Sequence, residues 1–117
     1  MKPLSRAIGL MEGAFLPASR ASRNRNPGNL RPPRGQKLRG QTGLDAAGFA
    51  IFPDMETGWA ALDRQIALDA KRGHTVESFL SKYAPPNEND TANYIAFVCR
   101  TLGVVKTTLL SELPKGE

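Results

Sequence analysis

Leu4, Ile8, Met11 and Phe15 recur at intervals of four, three and four residues, the spacing that lines one face of an α-helix. Pro3 suits a first helical turn, and Gly13 followed by Pro17 marks the stop. From residue 17 to 48 the pattern dissolves into Gly, Pro, Asn and Arg with little periodicity. GFAIF, Gly48 to Phe52, then reads as a short strand bounded by Gly and Pro53, with Asn29 to Arg31 as a candidate pairing partner. In PDMETGWAALDRQIALDAKRG, Trp59, Leu62, Ile66 and Ala70 share a helical face and Gly73 closes it. Thr75 caps a shorter helix through Lys82, with Glu77 near its positive end. After the loop YAPPNEN, Asp90 or Thr91 opens a helix in which Ile95, Val98 and Leu102 share a face beside Tyr94, and Gly103 ends it. A last short helix is predicted over Thr107 to Leu113. The expected class is α+β, mostly helical, with a small β-hairpin or sheet after the first helix.

Composition narrows this picture. A chain of 117 residues, 40% hydrophobic and 23% charged, suits one folded domain spanning 1–117, with the basic loop 17–48 inside it. The net charge of +5 favours an anionic partner: nucleic acid, a membrane surface or bacterial cell wall. Cys99 is the single cysteine and His74 the single histidine, so neither an internal disulfide framework nor a His- or Cys-built metal centre is expected, and no metal or cofactor is implied. No apolar run is long enough to span a bilayer. Lys2 and Arg6 precede AIGLMEGAFL as in a signal peptide, but Glu12 interrupts the apolar stretch, so the expectation is synthesis in the cytoplasm without a cleaved leader.

Three features carry chemistry. At 100° per residue Glu12 falls beside the apolar stripe of the first helix, at its C-terminal end, where both the helix dipole and burial oppose a negative charge. Such a carboxylate is most often a surface group that reaches past the helix end. The functional alternative is the general acid of glycoside cleavage, which must hold a proton near neutral pH. The second feature is the run from Arg20 to Arg39, with seven basic residues and no acidic one. It is either a solvated surface or a phosphate-binding arm. No aromatic occurs between Phe15 and Phe49, so the run itself contains no base-stacking platform. The third is YAPPNENDTANYI, where Tyr94 reads locally as a core aromatic after a helix cap.

Their order is more telling than any one of them. A helix ending in Glu-Gly, then RNRNPGNLR, then GFAIF leading into GWAAL, then NENDTANYIAFV resembles the lysozyme-like family of phage virion-associated lytic transglycosylases and endolysins over roughly residues 4 to 105. RNRNPGNLR is similar to that family's Asn-Asn-Pro-Gly-Asn-Leu element, and NENDTANYIAFV to its Glu-Thr-x-x-Tyr-Val element with Asp90 inserted. Gly13 stands where lytic transglycosylases usually carry Ser. The resemblance implies a peptidoglycan-cleaving enzyme acting on the bond between N-acetylmuramic acid and N-acetylglucosamine, in the periplasmic wall, free or as part of a virion with other virion proteins. Glu12 takes the place of the catalytic glutamate. Asn26, Gly28, Asn29 and Leu30 would line the cleft opposite it, Phe49 and Phe52 would belong to a small β lobe, and Tyr94 would project toward the glutamate and the sugar. In a hydrolytic muramidase, Asp45 or Asp54 would serve as second acid. A non-catalytic nucleic-acid-binding or virion structural protein is the remaining alternative.

Overall fold

The computed structural model describes residues 1–87 and 89–115; Glu88 of the NENDTANYIAFV stretch lies outside the described residues. Among the described residues, five helices and one two-stranded antiparallel sheet make an α+β arrangement: α1 Pro3–Glu12, α2 Arg20–Arg23, β1 Gly43–Leu44, β2 Ala50–Ile51, α3 Met55–Lys71, α4 Val76–Tyr83 and α5 Thr91–Leu102, followed by a 3₁₀ turn at Leu110–Glu112. Among the described residues no helix is long and apolar enough to cross a membrane.

Local signals set most boundaries. Asp54, Thr75 and Asp90 each cap a helix by accepting from the backbone N–H three residues on, which satisfies one of the free donors at a helix start. Gly13 and Gly103 end α1 and α5 in the left-handed conformation. The final element is only a 3₁₀ turn, shorter than the helix expected over Thr107 to Leu113.

Two expectations are corrected. The strand Ala50–Ile51 pairs with Gly43–Leu44, not with Asn29 to Arg31; Leu30 contributes a single backbone contact, its carbonyl accepting from Ala50 N at 2.9 Å. The turn between the strands is built by Asp45, whose side chain accepts from the N–H groups of Ala47 and Phe49 at 2.9 Å each, and that local chemistry wins the hairpin. On α1, Leu4 and Ile8 are buried, but Met11 and Phe15 are exposed; Ala7 and Gly9 complete the buried face instead. The helix stops at Glu12, so Phe15 lies beyond it and rests on Trp59, ring centroids 5.7 Å apart.

The core gathers Leu4 and Ile8 from α1, Leu62 and Ile66 from α3, Val76, Phe79 and Leu80 from α4, Tyr94 and Val98 from α5, and Phe52 beyond β2. Burying side chains of this size is worth about 1.5–3 kcal/mol each. α1 packs against both α3 and α5. Its N-terminal end is tied down by Asp63 of α3, which accepts from Lys2 N at 3.0 Å and from the Ser5 hydroxyl. The helix is therefore fixed in axial position, and its last residue, Glu12, is placed beside α5.

Candidate active site

Glu12 is partly buried, and both of its carboxylate oxygens meet donors from distant parts of the chain. Tyr94, on the face of α5 that packs against α1, donates its hydroxyl to Oε2 at 2.8 Å. Asn29, from the NPGNL turn, donates Nδ2 to Oε1 at 2.9 Å. Hydrogen bonds to a carboxylate are among the stronger ones, and two of them from separate elements fix the group's orientation.

The NPGNL turn is itself held from two sides. Asn26 is fully buried; its Nδ2 donates to the carbonyls of Leu30 at 3.0 Å and Ala50 at 2.9 Å, and its Oδ1 accepts from Leu30 N at 2.9 Å. One side-chain amide thus closes the turn and docks it on β2. Tyr83, the last residue of α4, donates its hydroxyl to the Gly28 carbonyl. A Cβ at residue 28 would lie 2.5 Å from that hydroxyl and 2.9 Å from Leu62 Cδ1, so glycine is required for close packing of the turn against α3 and α4. Burial first, and the charge of Glu12 second, push the phenols of Tyr83 and Tyr94 well above the ordinary tyrosine value, so both stay protonated and act as donors.

Asn29 completes the arrangement. Its φ of 47° is left-handed, a conformation that asparagine tolerates better than most residues. The amide turns its NH₂ group to Glu12, with Nδ2 donating to Oε1. The amide oxygen is left over: Asn29 Oδ1 is buried and has no hydrogen-bond partner among the described residues. An unmet buried acceptor costs about 1–3 kcal/mol, which a ligand donor would recover.

Glu12, Gly28, Asn29, Leu30, Phe49 and Tyr83 all line one cleft of about 920 Å³. Phe49 lies under two guanidinium groups, Arg20 at 4.4 Å and Arg31 at 4.1 Å from the ring centroid. The basic run lacks aromatics in sequence, yet folding brings one to it. Of the expected cleft residues, Tyr94 reaches the site through Glu12, whereas Asn26 and Phe52 are wholly buried and act from behind the wall.

Neither candidate second acid lines this cleft. Asp45 holds the hairpin turn; hydrogen bonds from the Asn24 side chain and the Phe49 N–H keep its carboxyl below the usual range. Asp54 caps α3, and bonds from the Thr57 hydroxyl and N–H do the same there. Among the described residues the other carboxylate in the cleft is Asp69 of α3, fully buried. Burial works to raise its carboxyl, but hydrogen bonds from Lys82 and Gln65 and the charge of Lys82 prevail and hold it below the ordinary value. Among the described residues no group of three or more His, Cys, Asp and Glu gathers as a metal site.

Tyr83 and Asp69 are among the cleft residues that a reading of the sequence does not single out. Asp69 had a signal: it follows Ile66 by three residues on the apolar face of α3, with Gln65 and Arg72 at helical spacing to bond it. Tyr83 had none, since its partner Gly28 is 55 residues away. Compared with family models, with curated proteins and with solved structures, the chain matches none.

Proposed function

We propose that this is a lysozyme-like domain that cleaves the glycan strands of peptidoglycan as a lytic transglycosylase, with Glu12 as general acid and then base. The observation that carries the reading is the Glu12 carboxylate held in an open cleft between the Tyr94 hydroxyl and the Asn29 amide, at 2.8 and 2.9 Å. Protonated Glu12 donates to the glycosidic oxygen as the bond from the muramoyl anomeric carbon breaks, and the N-acetylglucosamine end departs as an alcohol. The muramoyl 6-hydroxyl then attacks the anomeric carbon and returns its proton to the Glu12 carboxylate, leaving a 1,6-anhydro ring. An internal nucleophile suits a cleft in which Asp45 and Asp54 have no part and Asp69 is engaged by Lys82 and Gln65. The unmet Asn29 Oδ1 offers an acceptor for an acetamido N–H or a sugar hydroxyl beside the reacting bond.

The deciding measurement is the mass of soluble fragments released from purified peptidoglycan. Anhydromuropeptides, lighter by one water than hydrolytic products, are expected. Reducing-end muramic acid alone would establish hydrolysis instead, and no release together with salt-sensitive retention on DNA would favour a binding protein.

Tyr94→Phe tests the orientation of the glutamate. The ring keeps its packing, so stability should fall by only about 0.5–1.5 kcal/mol. The rate of wall lysis should fall ten- to a hundredfold, equivalent to about 1.4–2.7 kcal/mol of transition-state stabilisation. Melting temperature and lysis rate on the same preparation separate the two effects. A destabilised but fully active variant would return Tyr94 to a core role.

A further inference from the structure

The same cleft holds a second polar cluster that the cleavage chemistry does not use. Asp69 Oδ1 accepts from Lys82 Nζ at 2.5 Å and lies 3.3 Å from Arg72 Nη1, with His74 Nε2 at 3.7 Å; Oδ2 accepts from Gln65 Nε2 at 2.8 Å. To compensate the buried charge and brace α3 against α4, one cation suffices. Asp69 has two permanent ones, so the cluster retains positive charge. The surplus is accessible, because the Asp69 side chain is 0% exposed whereas those of Lys82 and Arg72 are 47% and 54% exposed. Both cations line the cleft and approach the same oxygen, so they stand close enough together for one anion to bridge them. Among the described residues, with Arg20 and Arg31, four cationic side chains line the cleft against two anionic ones, Glu12 and Asp69.

We infer that Arg72 and Lys82 form an anion subsite for the carboxylate carried on the muramoyl side chain of the glycan, an assignment that rests on the proposed reading of the cleft. Alternating strands bear a lactyl group on every second sugar, either free or extended by a peptide with its own carboxylates. A strand in the cleft that places this side chain against α3 and α4 gains a charge-assisted contact that a strand of N-acetylglucosamine alone lacks. The subsite would therefore select muramoyl glycans over chitin-type ones and fix which sugar stands on which side of Glu12.

The experiment uses the full chain carrying Glu12→Gln, so that strands bind without being cut. Three tetrasaccharides are titrated calorimetrically at low salt and at 0.5 M salt: one with peptides, one stripped to the free lactyl carboxylate, and N-acetylchitotetraose. The carboxylate-bearing strands should bind about tenfold more tightly than chitotetraose at low salt, with a smaller margin at high salt. Adding Arg72→Gln, which leaves Asp69 with Lys82 and Gln65, should remove most of that margin without weakening chitotetraose; Lys82→Arg should preserve it. Persistence of the preference in the stripped strand identifies the lactyl carboxylate as the bound group, and its loss there identifies the peptide's. Equal binding of all three strands, or an Arg72→Gln effect shared by all three, overturns the subsite while leaving the glycan reading standing. Failure of every strand to bind overturns both.

Discussion

Glu12→Gln is expected to abolish wall lysis, with a loss of about a hundredfold to ten-thousandfold, the range assigned to positioned proton transfer. Glutamine keeps the shape of the carboxyl and can still offer its oxygen to Asn29 Nδ2, while its NH₂ can donate to the Tyr94 oxygen. The fold should therefore survive, with stability changed by no more than about 1.5 kcal/mol as charge-assisted bonds become neutral ones. Clearing of a peptidoglycan suspension, measured with the melting temperature of the same sample, tests both halves. Lysis persisting above a few per cent of the parent rate would remove Glu12 from the chemistry.

The largest effect on stability is expected at Asn26. Replacing it by alanine strips a buried turn of three hydrogen bonds at once: the Leu30 N–H loses its acceptor, and the Leu30 and Ala50 carbonyls each lose a donor. The Leu30 carbonyl still accepts from Ala50 N, which leaves the Leu30 N–H and one side of the Ala50 carbonyl to be satisfied in a region without solvent access. At about 1–3 kcal/mol for each unmet group, the loss is about 2–6 kcal/mol, enough to lower the melting temperature of a domain this size by about 10 °C or more. Urea unfolding gives the same quantity independently. A shift below about 2 °C would mean that the turn holds without its amide. Because the turn carries Asn29, lysis should also drop at temperatures where the variant is still folded.

Much of the helical framework is legible in the sequence because it rests on short-range rules. Thr75 and Asp90 announce their helices by capping chemistry, and Gly13 and Gly103 announce the stops, whereas Asp54 reads in sequence as a candidate acid and proves to be the cap of α3. The hairpin is harder. Its partner strand is decided by how Asp45 folds the turn, whereas Asn29 to Arg31 is in sequence just as free to pair with it. On α1 the apolar spacing runs through Met11 to Phe15, but the helix ends at Glu12 and both of those side chains are exposed. At the cleft, Glu12, Asn29 and Tyr94 stand in three separate sequence motifs, and the fold joins them by two hydrogen bonds. Asn26 and Phe52 show the opposite outcome: both sit in the right stretches, yet point away from the cleft into the interior. What sequence spacing cannot supply is contact across the fold, as in the Tyr83 bond to Gly28 or the Lys82 bond to Asp69.

The left-handed backbone at Asn29 narrows what this position can accept. Glycine would adopt the same dihedral without strain, but it would withdraw the amide from Glu12. Aspartate would follow the backbone almost as well, yet set one carboxylate against another. Serine or alanine would neither favour the turn nor reach the glutamate, and glutamine, one methylene longer, loses the short side chain that makes asparagine at home there. Requirements from the main chain and from the chemistry, usually divided between two residues, here fall on a single one. In a saturation library screened separately for folding and for lysis, position 29 should stand out: several residues pass the first screen, and asparagine alone passes both.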